Sequence, residues 1–350
     1  MIGFRLALGA LLLASPTLAE ETPPPCPSDT MPVVTLGFGS RYAANSANRS
    51  EFDEESDKAV TAALKPIDDF IADLARQANL MNDPSTDPEL ATKAAACVEE
   101  SLLAWARAGA LSDLTTQGAN LSAPSRVGGI AFAYAALRAH QPEAGGNPEI
   151  EAWLLDRARQ TIAFFDTEAP PKAAQNNLRA WAGLAVARIG LTLEDPVLID
   201  WAETSVRLVA CAAEPDGSLP YEMWRGRLAL HYQLHAVAPL VTTAALLSDA
   251  RPGLFAACDK AIPRAVGFTL AALQDPSPVV AITGKKQTVG GRDRPPRDFE
   301  LAWAAAYLRF NPSPDLAKLV EGIKVLGNSK LGGDQRLLWP APADPAPSDG

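Results

Sequence analysis

The 350-residue sequence is poor in the residues that build metal and redox centres, with three histidines and four cysteines. The cysteines are far apart, and no two form a Cys-x-x-Cys pair, which argues against a zinc knuckle or a dithiol redox site. We therefore expect neither a metal nor a cofactor. Basic residues are too few to balance the acidic ones, and the net charge is −10. Because nucleic-acid binding needs a basic footprint, this composition disfavours it.

Long apolar runs are also missing. The run from Leu6 to Leu13 follows the single charge of Arg5 and is too short to cross a bilayer. No later segment has ~18 uninterrupted apolar residues, so we expect no membrane span. The small residues around Ala19 complete the pattern of a secretory signal peptide. The sequence thus predicts a signal peptide at residues 1–19 and an exported mature protein.

Alternating β-branched residues are rare, whereas alanine and leucine are abundant, and this favours an all-α fold. Helical periodicity, interrupted by turn-rich breaks, runs from about Phe52 to Leu326. It predicts ten helices, near 52–79, 88–110, 124–140, 147–167, 176–191, 195–213, 224–248, 252–274, 297–310 and 313–326. Short connections between them predict stacked antiparallel helical hairpins. Periodicity alone does not distinguish a toroid from a bundle or a superhelical repeat.

The remaining segments differ in composition from the helices. Residues 20–50 are predicted to form an extended N-terminal arm, residues 51–339 the helical domain, and residues 340–350 a disordered Pro-rich tail. The stretch 276–298 is rich in Gly, Pro, Lys and Arg, and it is predicted to be a long loop.

Four cysteines in an exported chain predict two disulfides, which can be paired in three ways. We favour Cys26–Cys97, which would tie the arm to a helix, and Cys211–Cys258, which would join two consecutive helices. Four buried thiols are the alternative.

Two segments carry the residue types of a polar site on helices. Residues 175–181, Gln-Asn-Asn-Leu-Arg-Ala-Trp, begin with adjacent amides, and residues 222–239 contain Arg225, Tyr232 and His235. Together they resemble the active-site helices of the alginate lyase family, the poly(β-D-mannuronate) lyases. The family motif Asn-Asn-His-x-Tyr-Trp is matched by Asn176, Asn177 and Trp181. Leu178 stands where the family has its His, and Ala180 where it has Tyr.

Further segments extend the resemblance over nearly the whole mature chain. Arg225 and Tyr232 align with the catalytic Arg and Tyr of the family. Arg41, in Gly-Ser-Arg-Tyr, keeps the charge of a Ser-Lys-Tyr segment, and Lys330, in Asn-Ser-Lys-Leu-Gly-Gly, resembles the basic residue of a substrate-contact loop. The resemblance implies an incomplete (α/α) toroid built from antiparallel hairpins. It also implies a periplasmic location, with full secretion as the alternative.

A uronate lyase is a carbon–oxygen lyase that removes the C5 proton and expels the C4 oxygen. The sugar carboxylate must be neutralised, for which Asn177 and Arg225 are the candidates. In mannuronate both groups leave from one face, so Tyr232 alone could be base and acid, given a nearby cation to lower its pKa from ~10. Arg225, seven positions earlier, would share its face on a continuous helix. His235 would share that face and partly replace the missing imidazole, whereas His231 is interpreted as structural.

Four residues are expected to bind an anionic polysaccharide: Arg41, Asn176, Trp181 and Lys330. Because the chain is acidic overall, such a substrate needs a local basic cleft. Each candidate also has a simpler interpretation. The adjacent asparagines could cap a helix, Tyr232 and His235 could lie in the interior, and the basic residues could be solvated.

Three functions are compatible with these residues. The leading hypothesis is an exported polysaccharide lyase that cleaves a uronate polymer, such as alginate or polymannuronate, by β-elimination. The second is a catalytically impaired toroid that binds a polysaccharide or a protein of an exopolysaccharide secretion machinery. The third is a glycoside hydrolase, which needs two facing carboxylates, and Glu222 and Asp298 are the only pair to nominate.

Overall fold

The computed structural model describes residues 26–27 and 30–341. The predicted signal peptide, and the predicted tail beyond residue 341, lie outside the described residues. The described part contains thirteen α-helices, which confirms the all-α prediction. They are α1 (Glu54–Asn82), α2 (Pro88–Arg107), α3 (Gln117–His140), α4 (Pro148–Thr167), α5 (Asn177–Leu193), α6 (Pro196–Ala210), α7 (Pro220–Met223), α8 (Ala229–Leu246), α9 (Ala257–Gln274), α10 (Ser277–Thr283), α11 (Ala304–Phe310), α12 (Pro314–Val320) and α13 (Gln335–Leu338).

Side-chain caps define where the long helices begin. In each of the helices α1 to α6, the side chain of the residue before the helix accepts a hydrogen bond from a backbone N–H of the first turn. That N–H has no partner within the helix. These caps are Asp53, Asp87, Thr116, Asn147, Asn176 and Asp195. Proline occupies the first position of α2, α4 and α6, where its missing N–H costs no hydrogen bond.

Successive helices pack against each other as hairpins, notably α1 with α2, α5 with α6 and α8 with α9. Helix α5 also contacts α3 and α8 and is buried on most of its surface, as an inner helix of an incomplete (α/α) toroid must be. The core is continuous through these contacts. Near the arm it contains Trp105, whose ring stacks on Phe70 at 3.8 Å between ring centres.

Two short strand pairs fasten the irregular segments. Strand β1 (Thr35–Leu36) of the arm pairs in parallel with β2 (Asp113–Leu114), and β3 (Gly327–Asn328) pairs antiparallel with β4 (Gly333–Asp334). The turn between β3 and β4 packs closely on α3, because a Cβ added at Gly129 would lie 2.7 Å from the Ser329 carbonyl oxygen. Glycine at this position therefore lets the turn approach the helix.

The structure contains the two disulfides favoured from the sequence. Cys26–Cys97 ties the arm to α2, with 5.7 Å between the Cα atoms. Cys211–Cys258 joins the end of α6 to the beginning of α9, with 5.3 Å between the Cα atoms. The expectation that the second pair joins consecutive helices is wrong, because α7 and α8 lie between them.

The main departure from the predicted helices lies at 224–248. In the structure this segment follows the short α7 and consists of a 3₁₀ turn at Gly226–Leu228 and then α8. Gly226 has a φ of 57°, a left-handed conformation that glycine adopts without steric cost. Arg225 therefore lies in the break, and it does not share a continuous helix with Tyr232.

Smaller differences have local causes. Helix α3 begins seven residues before the predicted start at 124, because Thr116 caps it and Pro124 is accommodated inside the helix. The predicted loop 276–298 contains α10, and the helix predicted from 297 begins only at Ala304. Within the described ranges no single helix is long and apolar enough to cross a membrane. Among the described residues one pair of helices is long and apolar enough when taken together, and the chain bends by 104° between its two members, Leu254–Gln274 and Ser277–Thr283.

Candidate active site

Two adjoining cavities form one cleft beside the beginning of α8. The first, here called the basic cavity, has a volume of about 550 Å³ and is lined by Arg41, Arg126, Asn177, Arg225 and Tyr232, among others. The second, the mixed-charge cavity, has a volume of about 490 Å³ and is lined by Asp68, Arg76, Phe299, Glu300 and Asp334, among others. Both are lined by Trp181, His231, His235 and Lys330. The acidic protein thus has the local basic cleft that an anionic sugar requires.

Helix α8 supplies three ring side chains to this cleft. The ring centre of Tyr232 lies 5.0 Å from that of His231 and 6.3 Å from that of His235. His235 is therefore beside Tyr232, as its spacing predicts. His231, which was interpreted as structural, also faces the cleft: it lines both cavities and stacks on His235 at 6.2 Å. Residues four apart lie on one helix face, so the position of His235 implies that of His231.

Arg225 reaches Tyr232 from outside α8. Its guanidinium carbon lies 3.7 Å from the ring centre of Tyr232 and 5.0 Å from that of Tyr42. Its Nε donates to the Asn48 carbonyl at 3.1 Å and its Nη2 to the Arg49 carbonyl at 2.6 Å. The N-terminal arm, and not a shared helix, thus positions this arginine.

The Tyr232 phenol forms a hydrogen bond with the Tyr42 hydroxyl. Burial raises the pKa of Tyr232 above its ordinary value, and Tyr42 adds to this, although the positive charge of Arg225 acts in the opposite direction. The cation expected from the sequence is present, but burial outweighs its effect. Tyr232 is consequently a neutral phenol, and a proton donor, at neutral pH.

The two adjacent asparagines have different surroundings. Asn176 caps α5 by accepting the Leu178 N–H at 2.9 Å and lines neither cavity, so its placement fits the capping interpretation. Asn177 lines the basic cavity, and its backbone N–H and Nδ2 donate to the two carboxylate oxygens of Glu222 at 2.7 and 2.9 Å. Its Oδ1 is buried and has no hydrogen-bond partner in the described part of the chain.

Glu222 lies behind Asn177 and is 1% exposed. Burial raises the pKa of Glu222 to about 7, although the hydrogen bonds from Asn177 and the charge of Arg225 favour its ionised form. Neither Glu222 nor the exposed Asp298 is among the described residues that line the cleft. The pair nominated for a glycoside hydrolase therefore does not face across the cleft, and Glu222 orients Asn177 instead.

Three cations surround the carboxylates at the edge of the basic cavity. Arg126 donates to Asp68 at 2.8 Å, the Lys330 Nζ lies 3.9 Å from the same carboxylate, and Arg41 pairs with Asp57 at 3.2 Å. Burial, assisted by the positive charges of Arg126 and Arg41, lowers the pKa of Lys330 to about 8, against the influence of Asp68. Lys330 and Arg41, both expected from the sequence to bind substrate, line the basic cavity.

Trp181 and Leu178 complete the wall that α5 contributes. Trp181 is 3% exposed and its ring lies 5.1 Å from that of His235. Leu178 lines the basic cavity, whereas its neighbour Arg179 points to the other side of α5 and donates to Asp166 at 2.9 Å. Burial, followed by the nearby charges, lowers the pKa of His235 well below its ordinary value, so this imidazole is neutral at neutral pH.

Tyr42 and Arg126 are among the cleft residues that were not predicted from the sequence. Tyr42 follows Arg41 directly, and the Gly-Ser-Arg-Tyr segment that singled out the arginine was the available signal for it. Arg126 is a charge in the middle of α3, where most of its neighbours are small or apolar and buried. Because arginine is rarely buried without a polar partner, a charge in such a segment was the available signal for Arg126.

Comparison with known proteins agrees with this arrangement. A family model described as alginate lyase matches residues 130–279. A polysaccharide lyase of Stenotrophomonas maltophilia is 31% identical over 345 residues, which covers 95% of both chains. An alginate lyase of Azotobacter vinelandii is 29% identical over 338 residues, which covers 92% of this chain and 86% of that one.

Solved structures share the fold. Alginate lyase A1-III from Sphingomonas species A1 is 22% identical, with a TM-score of 0.66, and the match covers 91% of this chain and 87% of the other. A variant of alginate lyase A1-III complexed with a tetrasaccharide is 23% identical, with a TM-score of 0.70 and coverage of 93% and 89%. The relatives establish that this chain belongs to the alginate lyase family and is a carbon–oxygen lyase of polysaccharides, and the solved structures show its incomplete (α/α) toroid fold.

Proposed function

We propose that the protein is an exported lyase that cleaves a uronate polymer of the alginate or polymannuronate kind by β-elimination. The observation that carries this proposal is the convergence of Asn177, Arg225 and Tyr232 on one basic cavity. Arg41, Arg126 and Lys330 pair with Asp57 or Asp68, but no carboxylate is among the described residues that line this cavity. A polyanion is therefore attracted to the local positive field and held within its range.

Arg225 and Asn177 neutralise the carboxylate of the sugar that reacts. The guanidinium of Arg225 is buried, and it contacts neutral carbonyl oxygens and phenol rings, so its charge remains available to an anion. The Nδ2 of Asn177 has two hydrogens, of which Glu222 accepts one. Together they stabilise the negative charge that builds up on the carboxylate when the C5 proton leaves.

The proton transfers follow from the protonation states of two neutral rings. The imidazole of His235 takes the C5 proton, the electron pair of the C5–H bond forms the C4=C5 double bond, and the C4–O4 bond breaks. Tyr232 gives its phenolic proton to the departing O4. Proton return from the imidazolium to the phenolate then restores both groups. This assigns the base to His235 and the acid to Tyr232, because burial keeps the phenol protonated before the reaction.

The remaining binding residues hold the polymer next to this centre. Arg41 and Lys330 provide further positive charge, and Trp181 offers an aromatic edge to a sugar ring. Two disulfides support export, since such bonds persist in oxidising compartments. With the signal-peptide pattern at residues 1–19, they support a periplasmic location. Mass spectrometry of the protein recovered from the periplasm would test this. The expected mass is that of a chain cleaved after Ala19.

The experiment is a lyase assay on polymannuronate, polyguluronate and polyglucuronate, followed by the ultraviolet absorbance of the unsaturated product. We expect absorbance to rise with at least one polymer, and Tyr232→Phe to lower kcat by about 10²–10⁴-fold. Tyr307→Phe is the matched control, because Tyr307 is a buried tyrosine of α11 that is not among the described lining residues of the cleft. Binding without absorbance would identify a binding module, and new reducing ends without absorbance would identify hydrolysis. Either result would refute the proposal.

A further inference from the structure

The two halves of the cleft differ in charge. Arginine or lysine occurs at five lining positions of the basic cavity, and no aspartate or glutamate is found among its described lining residues. The five are Arg41, Arg49, Arg126, Arg225 and Lys330. The mixed-charge cavity instead has three acidic lining residues, Asp68, Glu300 and Asp334, against Arg76 and the shared Lys330. A polymer that occupies both cavities therefore meets opposite electrostatic environments along its length.

The cations of the mixed-charge cavity are already engaged. Arg76 pairs with Asp73 of its own helix, and Lys330 lies 3.9 Å from Asp68, which Arg126 also contacts. Asp334 caps α13 by accepting the Arg336 N–H at 3.0 Å, and it forms no ion pair in the part of the chain that the structure describes. Its negative charge is consequently the least compensated of the three.

The other lining groups suit an uncharged sugar. Phe299 is 45% exposed and lines this cavity together with Trp181, and aromatic rings stack on the apolar faces of sugar rings. Carboxylate oxygens of the protein accept hydrogen bonds from sugar hydroxyls, and both uncharged sugars and uronates have such hydroxyls. The ionised carboxylate of a uronate has no hydrogen to donate, so it cannot bond to a protein carboxylate. Arg297 pairs with Glu300 at 3.1 Å, so it is next to Asp334 that the uronate carboxylate would meet uncompensated like charge.

We propose that the mixed-charge cavity is a subsite that favours an uncharged sugar over a uronate. Polyuronates such as polymannuronate are then cleaved, but a polymer in which uronates are interspersed with uncharged residues is the better substrate. This rests on the proposed function, since the uronate that reacts must lie in the basic cavity beside Tyr232. A second carboxylate within several ångströms of Asp334 would lower affinity by about tenfold at an effective dielectric constant of ~40.

The test compares the polyuronate that is cleaved best with the same polymer after partial chemical reduction of its carboxylates to alcohols. Reduction keeps the linkage and the ring and removes only charge. The variant is Asp334→Asn, because asparagine caps a helix as well as aspartate does. The control is Asp87→Asn, which makes the same change at the exposed cap of α2, a residue that is not among those described as lining the cleft.

At equal uronate concentration we expect the wild-type protein to have the higher kcat/KM on the partially reduced polymer. Asp334→Asn should raise kcat/KM on the unreduced polymer by about three- to tenfold and leave the reduced polymer unchanged, and added salt should shrink that gain. Asp87→Asn should change neither value. A wild-type preference for the unreduced polymer, or an unchanged ratio in Asp334→Asn, overturns the inference.

A second measurement separates this inference from the proposed chemistry. Calorimetry measures the affinity for both polymers without turnover, in Tyr232→Phe and in the double variant Tyr232→Phe with Asp334→Asn. The affinity ratio is the affinity for the reduced polymer divided by that for the unreduced polymer. We expect Asp334→Asn to lower this ratio, as it lowers the corresponding ratio of kcat/KM. If no polymer yields unsaturated product but the affinity ratio shifts, the proposed function fails and the uncharged subsite stands. If product forms but the affinity ratio does not shift, the uncharged subsite fails and the proposed function stands.

Discussion

Two buried arginines on opposite sides of α5 are a matched pair with different surroundings. Arg225 at the cleft is 7% exposed and Arg179 at the contact with α6 is 5% exposed. Each guanidinium lies near an aromatic ring, 3.7 Å from the centre of Tyr232 and 4.1 Å from that of Trp201, respectively. Arg179 donates to the Asp166 carboxylate at 2.9 Å, whereas Arg225 donates to backbone carbonyls.

The two arginines differ in the charge of the groups that accept their hydrogen bonds. Asp166 neutralises Arg179, and the resulting cluster ties α4, α5 and α6 together. Burial lowers the pKa of Arg179. Burial also acts to lower the pKa of Arg225, but Tyr232, Tyr42 and Glu222 outweigh it, and the pKa of Arg225 is raised. Burial and aromatic contact are thus common to both arginines. A buried cation that donates to neutral acceptors is the one prepared for an external anion.

Within this comparison, the largest effect is expected from exchanging each arginine for lysine. Arg225→Lys retains charge but loses the planar fork and its stacking on Tyr232, so kcat/KM should fall by about 10²–10³-fold. Arg179→Lys breaks the bond network with Asp166 and should lower the melting temperature, while kcat/KM of the folded enzyme stays within about threefold. Steady-state kinetics and thermal unfolding of both variants measure this. Similar losses of kcat/KM in the two variants would erase the distinction.

The two carboxylates next to these arginines should show a smaller contrast. Glu222→Gln leaves one acceptor oxygen where Asn177 presents two donors, so Asn177 turns and kcat should fall by about 10–100-fold. Asp166→Asn should act on stability alone. Kinetics and thermal unfolding of the two variants give this comparison, and an unchanged kcat in Glu222→Gln would remove Glu222 from the positioning of Asn177.

The pH profile identifies the role of Glu222 independently. Its pKa of about 7 means that the carboxylate gains a proton as pH falls below 7 and loses acceptor capacity for Asn177. Wild-type kcat should therefore decline on the acidic side with an apparent pKa near 7. The Glu222→Gln variant should lack that decline, and a decline of equal size in both proteins would assign it to another group.

Local signals in the sequence were sufficient for most of the helices and for part of the site. Periodicity and turn-rich breaks place α1, α2, α4, α5 and α6 within a few residues, because these signals act within one or two turns. The spacing of Tyr232 and His235 places both in the cleft for the same reason.

Contacts between distant segments escaped this reasoning. Arg225 is held by carbonyls 176 and 177 residues away, and periodicity does not report which loop will cross a cavity. The break before α8 depends on one glycine in a left-handed conformation, which an apolar pattern conceals. Adjacent asparagines are equivalent as sequence, and only the position of the buried Glu222 distinguishes the cap from the residue in the cleft.

A further prediction uses pH to separate cleft cations from structural ones. Lys330 faces Asp68 of α1, Arg126 of α3, His235 of α8 and Arg41 of the arm, and its pKa is about 8. Its charge, which attracts a uronate, is lost as pH rises through 8, so KM should increase by about three- to tenfold between pH 7 and 9. Lys330→Arg, which stays charged, should keep KM flat over this range. Arg179, which does not titrate there, gives no such step, and a step that persists in Lys330→Arg would contradict the assignment.

The smallest effect is expected at Leu178, the neighbour of Arg179 that faces the basic cavity. Its side chain packs on the apolar cluster of Leu121, Phe164 and Phe165, so Leu178→His should cost about 1 kcal/mol of stability. The new imidazole would lie near several cations, which keep it neutral, and it would add one donor for the substrate carboxylate. We expect kcat to rise by about threefold.

The control for this change is Leu178→Ala, which loses the same packing and adds no donor. A gain in Leu178→His that Leu178→Ala lacks would show that the cleft has spare capacity to neutralise the sugar acid. Equal rates in the two variants would instead mean that Arg225 and Asn177 already supply the full neutralisation. In that case the apolar residue at 178 belongs with Arg179 as part of the framework, and the boundary between cleft and framework runs between Asn177 and Leu178.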